Sequence, residues 1–308
     1  MIVVFGSLNA DLFFTLNTLP KPGETVLCSD YTLLPGGKGG NQAVAAARLG
    51  SMVKMVGSIG NDAFGKPVVE SLTEAGVDVS CVKAVNGATG TAFVMVEKSG
   101  ENQIVVASGA NLKTSSDQVK DEDLRPDTVL VLQMEVTTRE IEKIIFRARE
   151  AGCRIILNYA PAGPIDRAVL KNCDFLIFNE LEVKLLSGEV KTPEAHAIEF
   201  SSQFDAECIV TLGSEGGVLA NKDGLYRVSA LKVDPVDTVG AGDTFVGAFA
   251  VSILDGSDSK TALHRASVAG GLACTVRGAQ PDFITSNELD SQMSLILPPR
   301  KLHQFEDK

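Results

Sequence analysis

The sequence predicts an α/β fold in which a mainly parallel, doubly wound sheet carries a small second β-sheet. Along most of the 308 residues, short apolar runs alternate with segments of helical period, which implies parallel strands joined by right-handed helical crossovers. Two stretches, 12–34 and 87–108, break that rhythm with β-type residues only. Polar groups collect just beyond the apolar runs, where open α/β sheets bind ligands.

Ile2, Val3, Val4 and Phe5 form the first expected strand, which runs out into Gly6-Ser7-Leu8-Asn9-Ala10-Asp11. Asn9 and Asp11 are candidates for hydroxyl binding, with an Asx turn as the alternative. Residues 12–34 alternate loosely, punctuated by Pro20, Pro22 and Gly23. Gly36-Gly37-Lys38-Gly39-Gly40-Asn41-Gln42 then opens a helix expected over 43–49 and closed by Gly50. Its glycines let backbone approach a ligand, and Lys38 and Asn41 favour a binding loop over a plain turn; the spacing is not that of a P-loop.

A strand over 53–59 and a helix over 63–75 follow. Residues 87–108 read as a hairpin turning at Ser99-Gly100-Glu101-Asn102. Further strands are expected at 129–133, 154–157, 175–178 and 208–212, and helices at 138–151, 180–187 and 193–204. Glu135, Asn158, Asn179-Glu180-Leu181-Glu182 and Thr211-Leu212-Gly213-Ser214 lie at strand ends. With residues 9–11 and 237–243 they suggest one long cleft along the top edge of the sheet.

Asp237-Thr238-Val239-Gly240-Ala241-Gly242-Asp243-Thr244-Phe245 organises the chain. Leu231, Val233 and Val236 before it read as a strand and its exit, and the apolar run after it reads as a buried helix. Gly240, Ala241 and Gly242 present N–H groups at a helix start, backed by its positive dipole end, which suits phosphate. A carboxylate there, Asp243, is either a helix cap or a group that takes a proton from an attacking hydroxyl. A helix over 259–276 and Arg277-Gly278-Ala279-Gln280-Pro281 follow, and the last ten residues are expected to fray.

The balance of 28 Lys+Arg against 39 Asp+Glu gives a net charge of −11. With no basic tract, this argues against nucleic acid and anionic membrane as main partners. No apolar run approaches the ~20 residues of a membrane span, and the first residues enter a strand without a signal-peptide pattern. Cysteines 28, 81, 153, 173, 208 and 274 form no Cys-x-x-Cys pair and read as reduced residues of a cytoplasmic protein. Histidines 196, 264 and 303 have no metal-ligand spacing.

With those residues assembled, the chain resembles the ribokinase family of sugar and nucleoside kinases, the pfkB-type carbohydrate kinases, over essentially its whole length. The resemblance rests on the glycine-rich and Asp237–Phe245 stretches quoted above, on Gly6 through Asp11, on Ser108-Gly109-Ala110-Asn111, on Gln133-Met134-Glu135, on Asn179-Glu180-Leu181-Glu182 and on Gly278-Ala279-Gln280-Pro281. It implies a three-layer α/β/α domain (1–11, 35–86 and 109–308) with a β lid (12–34 and 87–108). It implies transfer of the γ-phosphoryl group of ATP, with Mg²⁺, to the 5-hydroxyl of D-ribose. Asp243 is then the base and Gly240, Ala241 and Gly242 the anion hole. Asn9, Asp11, Gly37, Lys38, Asn41 and Glu135 match positions that hold the sugar. Asn179 and Glu182 match the motif that orients Mg²⁺ and phosphate; Thr211, Gly213 and Ser267 fall on the nucleotide side. Asp237, Val239, Ala273, Val276, Gly278 and Asp282 match a monovalent-cation (K⁺) site. The chain departs from the family at Phe178, Leu181, Val276 and Asp282, and has Ser267 where a histidine is common.

Two rivals remain. A nucleoside kinase of the same family needs an apolar slot, for which Phe13, Phe14, Phe93 and Met95 are available. A non-catalytic sugar or nucleotide sensor is disfavoured by the presence of Asp243. A nicotinamide oxidoreductase lacks its glycine fingerprint. The lid's apolar face, drawn from Leu12, Phe14, Leu16, Phe93 and Met95, is expected to be covered by a second copy of the chain, giving a homodimer.

Overall fold

The computed structural model describes residues 1–97 and 102–302. Most of the expected hairpin turn at 99–102, together with His303 and the rest of the expected frayed tail, lies outside the described residues. In chain order the strands and helices begin with Ile2–Phe5 (β1), Asn9–Leu16 (β2), Tyr31–Gly36 (β3), Lys38–Arg48 (α1), Val53–Gly60 (β4), Gly65–Glu74 (α2) and Asp78–Val85 (β5). Gly90–Glu97 (β6), Asn102–Ala107 (β7), Val129–Leu132 (β8), Thr138–Glu150 (α3), Arg154–Asn158 (β9), Arg167–Leu170 (α4), Phe175–Asn179 (β10) and Glu180–Ser187 (α5) follow. The rest are Pro193–Phe204 (α6), Glu207–Thr211 (β11), Gly217–Asn221 (β12), Gly224–Val228 (β13), Ala241–Leu254 (α7), Ser259–Ala273 (α8), Ser286–Gln292 (α9) and Arg300–Leu302 (β14).

The main sheet has ten strands in the order β14-β13-β12-β11-β10-β9-β8-β1-β4-β5. From β11 to β5 neighbours are parallel, and β12, β13 and β14 add an antiparallel edge. Side chains of β1 show why there are three layers: Ile2 and Val4 enter one core, Val3 and Phe5 the other. Both faces are buried, so the strand is continuously apolar rather than alternating. Helices α1, α7 and α8 line the first core, and α3 and α6 the second.

A second sheet has the order β3-β2-β6-β7, with β2 and β6 parallel and the outer pairs antiparallel. It has four strands. Its strand β2 starts at Asn9, so Asn9 and Asp11 stand on this sheet rather than in the turn before it.

The structure corrects several boundaries. Helix α1 starts at Lys38, so most of the glycine run is itself helical. Residues 231–236 form no strand; the N–H groups of Val236 and Asp237 donate instead to the Cys274 carbonyl at the end of α8. Strand β5, the β12–β13 hairpin and β14 were not anticipated, and β14 places part of the expected frayed tail at the sheet edge.

Candidate functional site

Asp243 lies in the first turn of α7, buried, facing the first turn of α1. Its Oδ2 accepts from Asn41 Nδ2 at 3.0 Å and its Oδ1 from Gln42 Nε2 at 2.9 Å. Asn41 Oδ1 accepts from Gln280 Nε2 at 3.0 Å. Gln42 also donates to Asn158 Oδ1 at 3.1 Å and accepts from Gln133 Nε2 at 2.6 Å. The strand end at Asn158 was noted from sequence, but Gln42, Gln133 and Gln280 carried no assignment. A glutamine closing the otherwise apolar run expected over 129–133, one residue past β8, was the available signal.

Gly240 caps α7 with a left-handed φ of 76°, and an added Cβ would stand 2.5 Å from Ala279 Cα. The N–H groups of Gly242 and Asp243 have no acceptor among the described residues, and an added Cβ at Gly242 would meet nothing within 4 Å. Donors at a helix start, with open space before Gly242, make a place for an anion.

The glycines of the first motif also allow a close approach of backbone to backbone. A Cβ on Gly39 would lie 2.7 Å from the Ser7 backbone, and one on Gly37 2.8 Å from Asn9 N. They let α1 lie against the exit of β1, which brings Lys38, Asn41 and Gln42 over the strand ends. Ser7 Oγ donates to Glu135 Oε2 at 2.5 Å, and Lys38 N donates to the same oxygen at 3.0 Å. Asn9 Oδ1 accepts from Asn111 Nδ2 at 2.7 Å, and Asn111 Oδ1 accepts from Leu8 N at 2.9 Å. Asn111 was quoted within a motif but given no role.

Charge is concentrated here. Burial pushes Asp11 up to about 7, and the Glu135 and Asp243 carboxylates push the same way. Asp11 Oδ1 is buried without a hydrogen-bond partner among the described residues. Asp243 above all, then Glu135 and Glu182, hold the Lys38 ammonium above its ordinary range against its own burial. Burial likewise raises Glu182. These five groups come from β2, α1, the segment after β8, α5 and α7, so one electrostatic centre spans both sheets.

The nucleotide-side candidates lie at neighbouring strand ends. Asn179 Oδ1 accepts from Leu181 N and Glu182 N, and Glu182 Oε2 accepts from Asn179 N at 2.8 Å, a capping box that starts α5. That leaves Asn179 Nδ2 and the second oxygen of Glu182 for other partners. Thr211 Oγ1 donates to the Phe178 carbonyl at 3.2 Å, and Gly213 takes a φ of 55°. Ser267 on α8 is buried with its hydroxyl unpartnered among the described residues. Asp237 joins two loops, Oδ1 accepting from Val239 N and Oδ2 from Gly278 N, both at 3.0 Å. The Ala273 carbonyl at the end of α8 receives no backbone N–H among the described residues, whereas that of Cys274 receives two. Asp282 is exposed, and its charge is felt by Arg48.

The lid register separates its two faces. Asp11 pairs with Ala92 and Phe13 with Val94, whereas Leu12 pairs with Phe93 and Phe14 with Met95. Phe14, Phe93 and Met95 therefore face away from Asp11, and of the four residues available for a base slot only Phe13 shares its face.

A concavity of about 1290 Å³ lies at the opposite end of the sheet, beside Arg154 and Glu207 at the starts of β9 and β11. None of its charged side chains is buried. Size does not locate the chemistry here.

Helix-start donors aimed at open space, next to a carboxylate held by two amides, suit transfer of a phosphoryl group to a hydroxyl. The class is that of the phosphotransferases. The chain belongs to the pfkB family of carbohydrate kinases, whose family model matches residues 1–286. It is 34% identical to the ribokinase of Haemophilus influenzae over 294 residues, covering 93% of this chain and 96% of that protein. The crystal structure of ribokinase from Thermotoga maritima superposes with a TM-score of 0.89 at 32% identity, covering 95% of this chain and 99% of that one. The structure of Arabidopsis thaliana ribokinase complexed with ribose and ATP superposes at 0.86 with 33% identity, covering 95% and 98%.

Proposed function

We propose that this chain is an ATP-dependent kinase that phosphorylates the 5-hydroxyl of D-ribose. The observation that carries the reading is the centre in which Asp11, Lys38, Glu135 and Asp243 converge beneath the second sheet. Full-length similarity to ribokinases, one of them complexed with ribose and ATP, supports the substrate pair. So many buried polar groups need a ligand rich in hydroxyls, because an unsatisfied one costs about 1–3 kcal/mol.

In this reading Asp243 takes the proton of the attacking hydroxyl, and the N–H groups from Gly240 to Gly242, of which that of Ala241 is shared with the Thr238 carbonyl at 3.3 Å, stabilise charge on the transferring phosphoryl group. Asn9, Asp11, Gly37, Lys38, Asn41 and Glu135 hold the sugar. Asn179, Thr211, Gly213 and Ser267 line the nucleotide side. Glu182 fits Mg²⁺ held mainly through water and phosphate, since one of its oxygens remains free of the capping box. The bound Mg²⁺ would neutralise charge on the phosphates. The loops tied by Asp237, with an unspent carbonyl at Ala273, fit a monovalent cation at the negative end of α8; Val239, Val276 and Gly278 would add carbonyls, and Asp282 a charge nearby. Residues 12–34 and 87–108 act as the lid, and the protein works as a homodimer in the reducing cytoplasm.

The test is ADP release over a panel of pentoses, 2-deoxyribose, hexoses and nucleosides with ATP and Mg²⁺. D-ribose should give the highest kcat/KM. A nucleoside or another sugar exceeding it tenfold would overturn the substrate assignment.

A further inference from the structure

The base proposed above sits at the end of a chain of amides that the family resemblance left unassigned. Gln42 is fully buried, so it cannot touch a sugar, and every polar atom of its side chain is engaged. One N–H donates to Asp243 Oδ1 at 2.9 Å and the other to Asn158 Oδ1 at 3.1 Å. Its Oε1 accepts from Gln133 Nε2 at 2.6 Å. Asn158 Nδ2 in turn donates to the Ile177 carbonyl at 3.3 Å.

The direction of this chain is forced. A backbone carbonyl only accepts, so Asn158 must turn its NH₂ to Ile177 and its oxygen to Gln42. An ionised carboxylate also only accepts, so Gln42 must turn its NH₂ to Asp243. Reversing any one amide would set two acceptors, or two donors, face to face in a buried site, at a cost comparable to the desolvation of an unpaired group. Gln133 just past β8, with strands β9 and β10, therefore fixes the rotamer of Gln42, and Gln42 fixes Asp243.

We propose that Gln42 is a positioning residue for phosphoryl transfer: it holds Asp243 in the orientation in which its other lone pairs face the sugar hydroxyl. The proposal rests on Asp243 being the base. Asn41 makes the matching bond to Oδ2, but it also lies among the sugar candidates, so Gln42 is the cleaner probe. The charged groups that face Asp243 from other elements are Asp11, Lys38, Glu135 and Glu182. None of them is altered by substituting Gln42.

Gln42→Met keeps the volume and removes both donors. Its kcat should fall roughly 10- to 100-fold, while the ribose KM stays within about threefold; the unfolding midpoint should fall as well, because Gln133 Nε2 and Asn158 Oδ1 lose their buried partner, so the kcat-to-KM split is the readout. Gln42→Glu puts an acceptor where a donor stood, so the pair retains a proton. Its kcat–pH profile should move its acid limb to higher pH by about one unit or more. A merely structural role predicts a pH profile scaled down without displacement.

Asp243→Asn is measured alongside. If it retains activity, the base assignment fails and the proposal falls with it. If it is inactive while Gln42→Met keeps kcat within about twofold of the parent, the base stands and the positioning role is overturned. An unmoved acid limb in Gln42→Glu also overturns it. Should the glutamate variant not fold, the methionine variant decides through its kcat-to-KM split.

Discussion

Among single residues, two carboxylates of the centre, Asp243 and Asp11, make opposite demands. Asp243 holds two amide donors and is placed to accept a proton, so Asp243→Asn keeps its shape and removes its chemistry. Its kcat should fall by roughly 10²–10⁴, with ribose affinity, read by calorimetry, changing far less. Asp11 is held up to about 7 by burial and by its carboxylate neighbours. Between the ordinary carboxylate range and that value, the folded protein binds a proton that the unfolded chain has released. Stability therefore falls as pH rises from about 4 to 7, and the deficit is fully present above it. Asp11→Asn removes the deficit: at pH 8 its Tm should exceed the parent's by several degrees, with the gap closing as the pH is lowered towards 4. Its ribose KM should rise. A Tm gap independent of pH would refute the account.

At the level of the secondary-structure elements, the start of α7 separates two kinds of glycine. Gly240 has a left-handed φ and lies against the Ala279 backbone, so Gly240→Ala strains the chain and should lower Tm. Gly242 faces open space, so Gly242→Ala should fold like the parent and lose kcat, because the new methyl group stands where the phosphoryl oxygens approach. Full activity in Gly242→Ala would place the anion elsewhere. The loop before α7 is pinned by Asp237 to Gly278. A cation bound between these loops would shape the anion hole from behind, so K⁺ should activate at constant ionic strength, with Na⁺ poor and Asp237→Ala insensitive. Equal rates in K⁺ and Na⁺ would count against the site.

For the whole molecule, the lid leaves apolar surface uncovered. Phe14 and Phe93 stack at 6.5 Å between ring centroids, and Phe14 lies 5.9 Å from Tyr31. Tyr31, Phe93 and Val105 on that face are exposed, whereas Leu12 and Leu16 are already buried within the chain. Only the outer end of the face therefore needs a partner, and a two-fold copy supplies the same patch. Phe93→Asp with Val105→Lys should convert a dimer to monomers in sedimentation at micromolar concentration and raise the ribose KM. A parent that sediments as a fully active monomer would sink the dimer.

The α/β alternation, the β-only inserts, the polar strand ends and the Gly240–Asp243 helix start were all legible in the chain alone. Each is carried by neighbouring residues: a period of two or 3.6, a glycine before a helix, a polar residue where an apolar run stops. No membrane-spanning pattern was read, and among the described residues no helix is long and apolar enough to cross a membrane. The failures share a different character. The glycines of the first motif also admit the backbone that follows β1, Phe14 and Phe93 face away from Asp11, and residues 231–236 form no strand. Above all, Gln42 and Asn41 reach a carboxylate more than 200 positions away. Which face a lid residue takes depends on register, and which amide meets which carboxylate depends on how α1, α7 and three strands pack. Those distances are set by folding the whole chain, and no local pattern encodes them.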